Sequence, residues 1–250
     1  MAKQGGLGDN LYVAGVNLSG DIGALGNIGG GPASTQDVTG IDKSAFERIG
    51  LLRDGRIEYS AYFNPALTGS AHAVLSALPT TDVILTYCRG TTLGSPAACL
   101  NAKQANYDGT RGQDGSFTFA VQAQANGYGL EWGNLLTAGL RTDGAATNGT
   151  SFDTAAALSF GAQAYLQVSA FTGTDATVKI QDSADNTTFA DVAGLSFTQI
   201  TAAPGAQRIA VANTTTIRRY VRAVTATTGG FTVLTFAVVI NKNTIAGVTF

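Results

Sequence analysis

A chain of 250 residues fits one large or two ordinary domains. Apolar residues make up 44% and charged residues only 13%, against ~25% charged in ordinary globular proteins, and the net charge is −2. That balance leaves no basic excess for gripping duplex DNA through its phosphates, and a surface so poor in charge suits a subunit covered by partners.

Glycine, at 32 residues, is abundant and proline, at 5, is scarce, a composition that favours strands and turns over helices. Residues 9–19 read as a first strand. Residues 19–41 are dense in glycine and show almost no period, so they read as a long loop that orders against a neighbouring subunit. Its GGGPAS run lacks the Gly-Lys-Ser/Thr of a phosphate loop. Residues 42–49 predict a short helix, capped by Asp42, with Phe46 and Ile49 on one face and Gly50 as its stop. Residues 51–64 predict a strand with Ile57, Tyr59, Ala61 and Phe63 on one side. A second short helix over 70–78 ends at Pro79, and strands follow at 83–88 and 97–107.

Residues 115–136 alternate with period two. Phe117, Phe119, Val121 and Ala123 point one way; Thr118, Gln122 and Gln124 point the other. Asn126-Gly127 interrupts the pattern, predicting either a hairpin or one long strand kinked at Gly127. Beyond it, Tyr128, Leu130 and Trp132 fall on one side and Glu131 on the other. The segment therefore carries one uncharged polar face.

Residues 141–151 show no period and read as a linker. Short, evenly spaced strands follow at 155–160, 163–171, 176–181, 189–192, 197–200, 206–212, 217–225 and 231–241, the pattern of an antiparallel sandwich or jelly roll. Residues 1–150 hold 9 basic and 12 acidic side chains, net −3; residues 151–250 hold 6 and 5, net +1.

Chemistry is sparse. The single histidine, His72, sits near Ser70 on a local element, with no nucleophile elbow. One histidine with Cys88 and Cys99 makes no zinc set, and the two cysteines read as buried thiols. Asp182, Asp185 and Asn186 read as a capped turn rather than a calcium loop. No catalytic residue, metal or cofactor is expected. The opening MAKQGG has no apolar secretory stretch, and the run 231–240 is far short of the ~20 residues of a membrane helix, so synthesis in a reducing cytoplasm is expected. Arg218, Tyr220 and Arg222 share one strand face and form either a ligand patch for a glycan or phosphate or, more simply, a solvated face paired to cross-strand acids.

The runs LYVAGVNLSGDI, DVTGIDKSAFERIGLLRDGRIEYSAYFNPA and FAVQAQANGYGLEWG resemble the major tail tube proteins of long-tailed bacteriophages. The similarity covers about residues 8–140. It implies a mainly β fold: a tail-tube-type β-sandwich or barrel over 1–140 with one or two short helices, closing into rings, hexameric in that family. The rings stack into a tube through which the genome leaves the capsid. KIQDSADNTTFADV and RRYVRAV are similar to outward-facing immunoglobulin-like or jelly-roll modules, implying a decoration domain over 152–250.

The resemblance and the alternation together put Glu58, Ser60, Thr118, Gln122, Gln124 and Glu131 on the lumen. Arg56 shares that face and is expected to pair with Glu58 or Glu131. A bore that passes DNA must not hold it, and amides, hydroxyls and occasional acids do not neutralise phosphates. The resemblance also gives Asp21, Ile22, Leu25 and Ile28 to an inter-ring loop. It implies as partners further copies of the chain and the tape measure, tail terminator and distal tail proteins, with DNA passing unbound and no membrane. The location it implies is the virion, assembled in the host bacterial cytoplasm. The alternative is a capsid decoration or minor tail protein that binds host-surface glycans through its C-terminal part.

Overall fold

The computed structural model describes residues 7–32 and 34–245, so the opening MAKQGG and part of the GGGPAS run lie outside the described residues. The chain begins with a tight hairpin, β1 (Asn10–Val13) and β2 (Val16–Asn17). Next come the long β3 (Ile22–Pro32), the small strands β4 (Thr35–Asp37) and β5 (Arg48–Gly50), and β6 (Arg53–Tyr62). The helix α1 (Ala71–Leu75) starts where Ser70 Oγ accepts from the Ala73 amide. Then follow β7 (Val83–Cys88), β8 (Pro96–Gln104), β9 (Asp108–Arg111), β10 (Phe117–Ala125) and β11 (Glu131–Leu135). The later half holds β12 (Arg141–Asp143), β13 (Phe152–Asp153), β14 (Ala162–Gly173) and β15 (Thr177–Ser183). It ends with β16 (Ala190–Ser196), β17 (Gly205–Ala210), β18 (Tyr220–Ala226) and β19 (Phe231–Lys242). The fold is mainly β, built of antiparallel sheets, and α1 is the only helix among the described residues.

Two expectations change, and one alternative left open by the sequence is decided. Residues 22–32 form a strand paired along β6, not a loop. Register shifts between Ile22 and Ala24 and between Leu25 and Ile28 break its period of two, which hides the strand from a pattern search. Residues 42–49 do not form a helix; β4 and β5 pair with each other as a separate two-stranded ribbon. A helix of that length is marginal in water unless its apolar face is covered, and Phe46 and Ile49 stay exposed here. The stretch around Gly127 is one strand with a break. Both β10 and β11 pair with β8, at Ala123–Ala125 and at Glu131–Asn134, and Gly127 takes φ +79 at the break.

The second half is a sandwich. Four strands in the order β13-β18-β15-β16 face the strands β17, β14 and β19. Val178, Ile180, Val221 and Ala223 from one side meet Leu166, Val168, Phe236 and Val238 from the other. Residues expected as strands at 155–160 and 197–200 contribute only the single bridges Leu158–Ile217 and Ala176–Ile200. In the first half β1, β6, β7, β8 and β10, with Ala71 and Leu75 of α1, enclose a separate core around Ile57, Leu85, Leu100 and Val121.

The halves are joined as one sheet. β19 pairs with β11, continuing the order β17-β14-β19-β11-β8-β10-β6-β3. Behind that seam lies a third apolar cluster, with Tyr12, Cys88, Cys99 and Leu135 from one half and Tyr165, Ala237 and Val239 from the other. Both cysteines are free and buried, and burial pushes the Cys88 thiol up to about 12. The stretch read as a linker starts with β12, which pairs with β19; Arg141 is bonded to Asp143 at 2.7 Å and to the Ala223 carbonyl at 3.0 Å.

Candidate assembly surfaces

The alternation of β6 and β10 sets up the first surface. Ile57, Tyr59, Ala61, Val121 and Ala123 are buried in the first core, and Phe119 is buried on the same side of β10. Their neighbours along each strand therefore face away from it. The register aligns Glu58 with Gln122, Ser60 with Ala120, Tyr62 with Thr118 and Arg56 with Gln124, making one polar face across two strands. On β9, Thr110 and Asp108 extend it opposite Thr118 and Ala120. Arg56 lies 3.6 Å from Glu58, and the neighbouring Lys103 is paired with Asp82 at 2.7 Å, so the basic groups here have acidic partners.

Glu131 is the exception to the expected set. It is 1% exposed and sits at the seam between the halves. Its carboxylate receives Arg208 Nη2 at 2.8 Å and Nε at 3.3 Å, and the Tyr165 hydroxyl donates to it. The Tyr128 ring covers the Arg208 guanidinium at 3.6 Å. Past the break at Gly127 the chain runs on along the same edge of β8, where its outer neighbour is β19 rather than β6. The face that stays wet along β10 is thereby buried along β11, and Trp132 faces out instead. Burial and the adjacent carboxylate push the Tyr165 hydroxyl well above its usual range. Gln167 makes a second polar tie across the seam: its side chain accepts from the Gly15 amide at 2.7 Å and donates to the Ile84 carbonyl and Thr86 Oγ1.

Asp21, Ile22, Leu25 and Ile28, expected in an inter-ring loop, make contacts within the subunit. Asp21 accepts from Asn64 and from the Ala71 amide at 2.8 Å, anchoring the start of α1. Ile22, Leu25 and Ile28 pack against the first core. The segment that carries uncovered apolar side chains is 34–52: Val38, Ile41, Phe46, Ile49, Leu51 and Leu52 are all exposed. Its closing turn is held by Asp37, which accepts from Thr39, and by the Glu47 amide on Thr39 Oγ1. At the opposite end of β6, roughly 33 Å away at 3.3 Å per residue, lies an aromatic cluster. Tyr107 stacks on Phe119 at 4.0 Å, with Phe63, His72 and Phe117 around them, and Phe63 and Phe117 are exposed. Sequence pattern assigned neither surface, because Phe46 and Ile49 have the spacing of a helix face and Leu51 and Leu52 fall at the start of the next predicted strand.

The arginine patch is internally paired. Arg218 bonds Asp182 at 2.6 Å. Arg222 donates to the side-chain Oε1 of Gln181 at 2.7 Å and lies 4.0 Å over the Phe189 ring. Tyr220 is on the same strand, half-buried. Among the described residues no group of His, Cys, Asp or Glu is arranged to hold a metal, and no helix is long and apolar enough to cross a membrane.

No family model matches the chain, and no curated protein does. Among solved structures, the Dit protein of phage SPP1, a hub of the adsorption apparatus of phages infecting Gram-positive bacteria, aligns over 93% of this chain and 98% of its own. The identity is 11% and the TM-score 0.34. A chain of the phage p2 baseplate in its activated conformation with Sr aligns over 94% and 98%, at 11% identity and a TM-score of 0.31. The Ca form gives 12% and 0.28 over the same shares. Similarity this loose assigns neither family nor function.

Proposed function

We propose that the chain is a structural, non-enzymatic subunit of a phage tail. Copies join side by side into rings, and the rings stack into the tube through which the genome leaves. The observation that carries this reading is the ribbon of β4 and β5 with six exposed apolar residues on and beside it. A two-stranded ribbon is marginal in water by itself, so a surface of this kind calls for a partner. The aromatic cluster at the far end of β6 is a second uncovered apolar surface on the same chain. A projecting element at one end and an apolar seat at the other suit head-to-tail stacking of copies. Sideways closure is supported by β3, the long strand at the end of the sheet order, whose outer edge would otherwise template uncontrolled pairing.

In this arrangement the face of Glu58, Ser60, Thr118, Gln122 and Gln124 lines the bore. Its amides, hydroxyls and paired charges let DNA pass without holding it. Tape measure, terminator and distal tail proteins meet the ends of the tube, in the virion. The C-terminal sandwich is welded to the tube half through β19 rather than tethered. Arg218 and Arg222 already have partners, Asp182 and Gln181, and this reading gives that patch no part in the tube.

The test is Phe46→Ser combined with Leu52→Ser, examined by sedimentation and negative stain. The native chain is expected to form rings or tubes at high concentration, and the variant to stay monomeric with an unchanged circular dichroism spectrum. Tubes of unchanged length in the variant, or compact dimers of the native chain at every concentration, would contradict the reading.

A further inference from the structure

A cleft of about 400 Å³ opens where β11 meets the end of β19, within the range of roughly 300–1,000 Å³ usual for small-molecule sites. Its walls include Trp132, Asn134, Leu158, Asn241, Lys242 and Asn243. Trp132, the only tryptophan in the chain, is 49% exposed. An indole left half in water has no role in the core.

Three of the polar groups around it are amides, and their state differs. Asn134 donates to the Gly94 carbonyl at 3.0 Å and Asn241 to Gln163 at 3.3 Å. Asn243 is 3% exposed and donates through Nδ2 to the Phe160 carbonyl at 2.8 Å. Its Oδ1 is buried without a hydrogen-bond partner, the only such side-chain atom among the described residues. A buried acceptor in that state calls for a donor. The one cation in the cleft is not available to supply charge recognition. Lys242 Nζ donates to Thr154 Oγ1 and the Ala156 carbonyl at 2.7 Å each and to the Arg218 carbonyl at 3.1 Å, which engages all its protons.

We propose that this cleft binds a neutral saccharide. The weakly positive C–H face of a sugar ring lies on the negative face of the Trp132 indole. Hydroxyls, which both donate and accept, meet the amides of Asn134 and Asn241, and binding turns the Asn243 amide so that its Oδ1, closed off in the free chain, accepts from one. An apolar peptide would leave that acceptor unpaired. An acidic sugar would find no free cation. The site uses none of the residues assigned to the tube wall or to the ribbon, so it stands or falls apart from the assembly reading.

Because Trp132 is the sole tryptophan, its fluorescence reports on this cleft alone. Maltotriose, cellotriose and chitotriose, with trigalacturonate as the acidic comparator, would be titrated against the full chain. Saturation-transfer NMR on the sugars gives a second readout. The expected result is saturable binding of at least one neutral trisaccharide, with a dissociation constant on the order of 1 mM or tighter, and at least tenfold weaker binding of trigalacturonate. Trp132→Ala is expected to abolish the NMR transfer. Asn241→Ala, on a half-exposed position that leaves the fold intact, is expected to weaken binding severalfold, and Asn243→Ala more. No saturable response from any of the neutral sugars, or equal binding by the Trp132→Ala and Asn243→Ala variants, would overturn the proposal. A high-resolution map showing only an ordered water on Asn243 Oδ1 in crystals soaked with these sugars would overturn it as well.

Discussion

The two halves of this molecule differ in what they leave uncovered. Among the described residues, the large exposed hydrophobic side chains run from Leu7 to Trp132, and after that point only Ile245 joins them. The C-terminal sandwich closes on itself: β14 is buried over most of its length, and its turns are tied by carboxylates such as Asp175 and Asp185. The N-terminal half has an equally well-formed core yet carries an apolar ribbon, an aromatic end and a long free edge strand. Low overall charge therefore does not mean a uniformly bland surface. One half covers its apolar side chains and the other leaves several uncovered, and the seam between them determines whether they act as one body.

The strongest way to break that comparison is to cut the seam. Glu131→Ala leaves the Arg208 guanidinium buried beside Tyr165 without its carboxylate and is expected to destabilise the chain by roughly 3–5 kcal/mol in urea unfolding. Replacing both partners by leucine is expected to recover much of that loss. Two separate unfolding transitions in the native protein would show that the halves are independent after all.

A smaller effect is expected at Gly15, which takes φ +88 and lies against the second half. A Cβ there would come within 2.4 Å of the Gly205 amide nitrogen and of the Val168 carbonyl oxygen. Gly15→Ala is expected to cost about 2–3 kcal/mol, because backbone on both sides must move. Unchanged thermal stability would mean that the β1–β2 turn does not seat on β14 and β17.

The smallest effect sharpens the contrast by pH. Arg219 beside Asp153 holds that carboxyl down to about 2. The Thr228 amide, first among its donors, lowers Asp175, and the Thr188 and Thr187 amides lower Asp185. A carboxyl depressed in the folded state stabilises it above the unfolded value, near 3.9, and that contribution fades as pH falls towards the folded value. Hydrogen exchange at Thr187, Thr188 and Thr228 is therefore expected to rise between about pH 4 and pH 2 while the centre of β19 stays protected. Flat exchange across that window would mean that these carboxylates do not clamp their turns.

Much of this was legible in the sequence, for a local reason. Strands β6, β7, β10, β14 and β19 alternate or run apolar over several residues, and each begins or ends close to the pattern that marks it. The polar face of Glu58, Ser60, Thr118, Gln122 and Gln124 followed from the same period. What escaped detection depends on distant partners. Glu131 has the spacing of a wet residue, and only the pairing of β11 with β19, about a hundred positions later, buries it. Gln163 and Gln167 look like solvent-facing residues of β14 but are buried because that strand is covered on both faces. Two register shifts hide β3, and the exposed ribbon was read as a helix because its apolar spacing was correct while its missing cover could not be read locally.

The central claim is that the polar face of β6 and β10 becomes the wall of a channel. A cryo-electron reconstruction of assembled protein, at a resolution that places side chains, tests it most directly. The predicted result is a hollow cylinder with Glu58, Gln122 and Gln124 of every copy on the inner surface. A cylinder with that face outward, or an assembly without an axial channel, would contradict it.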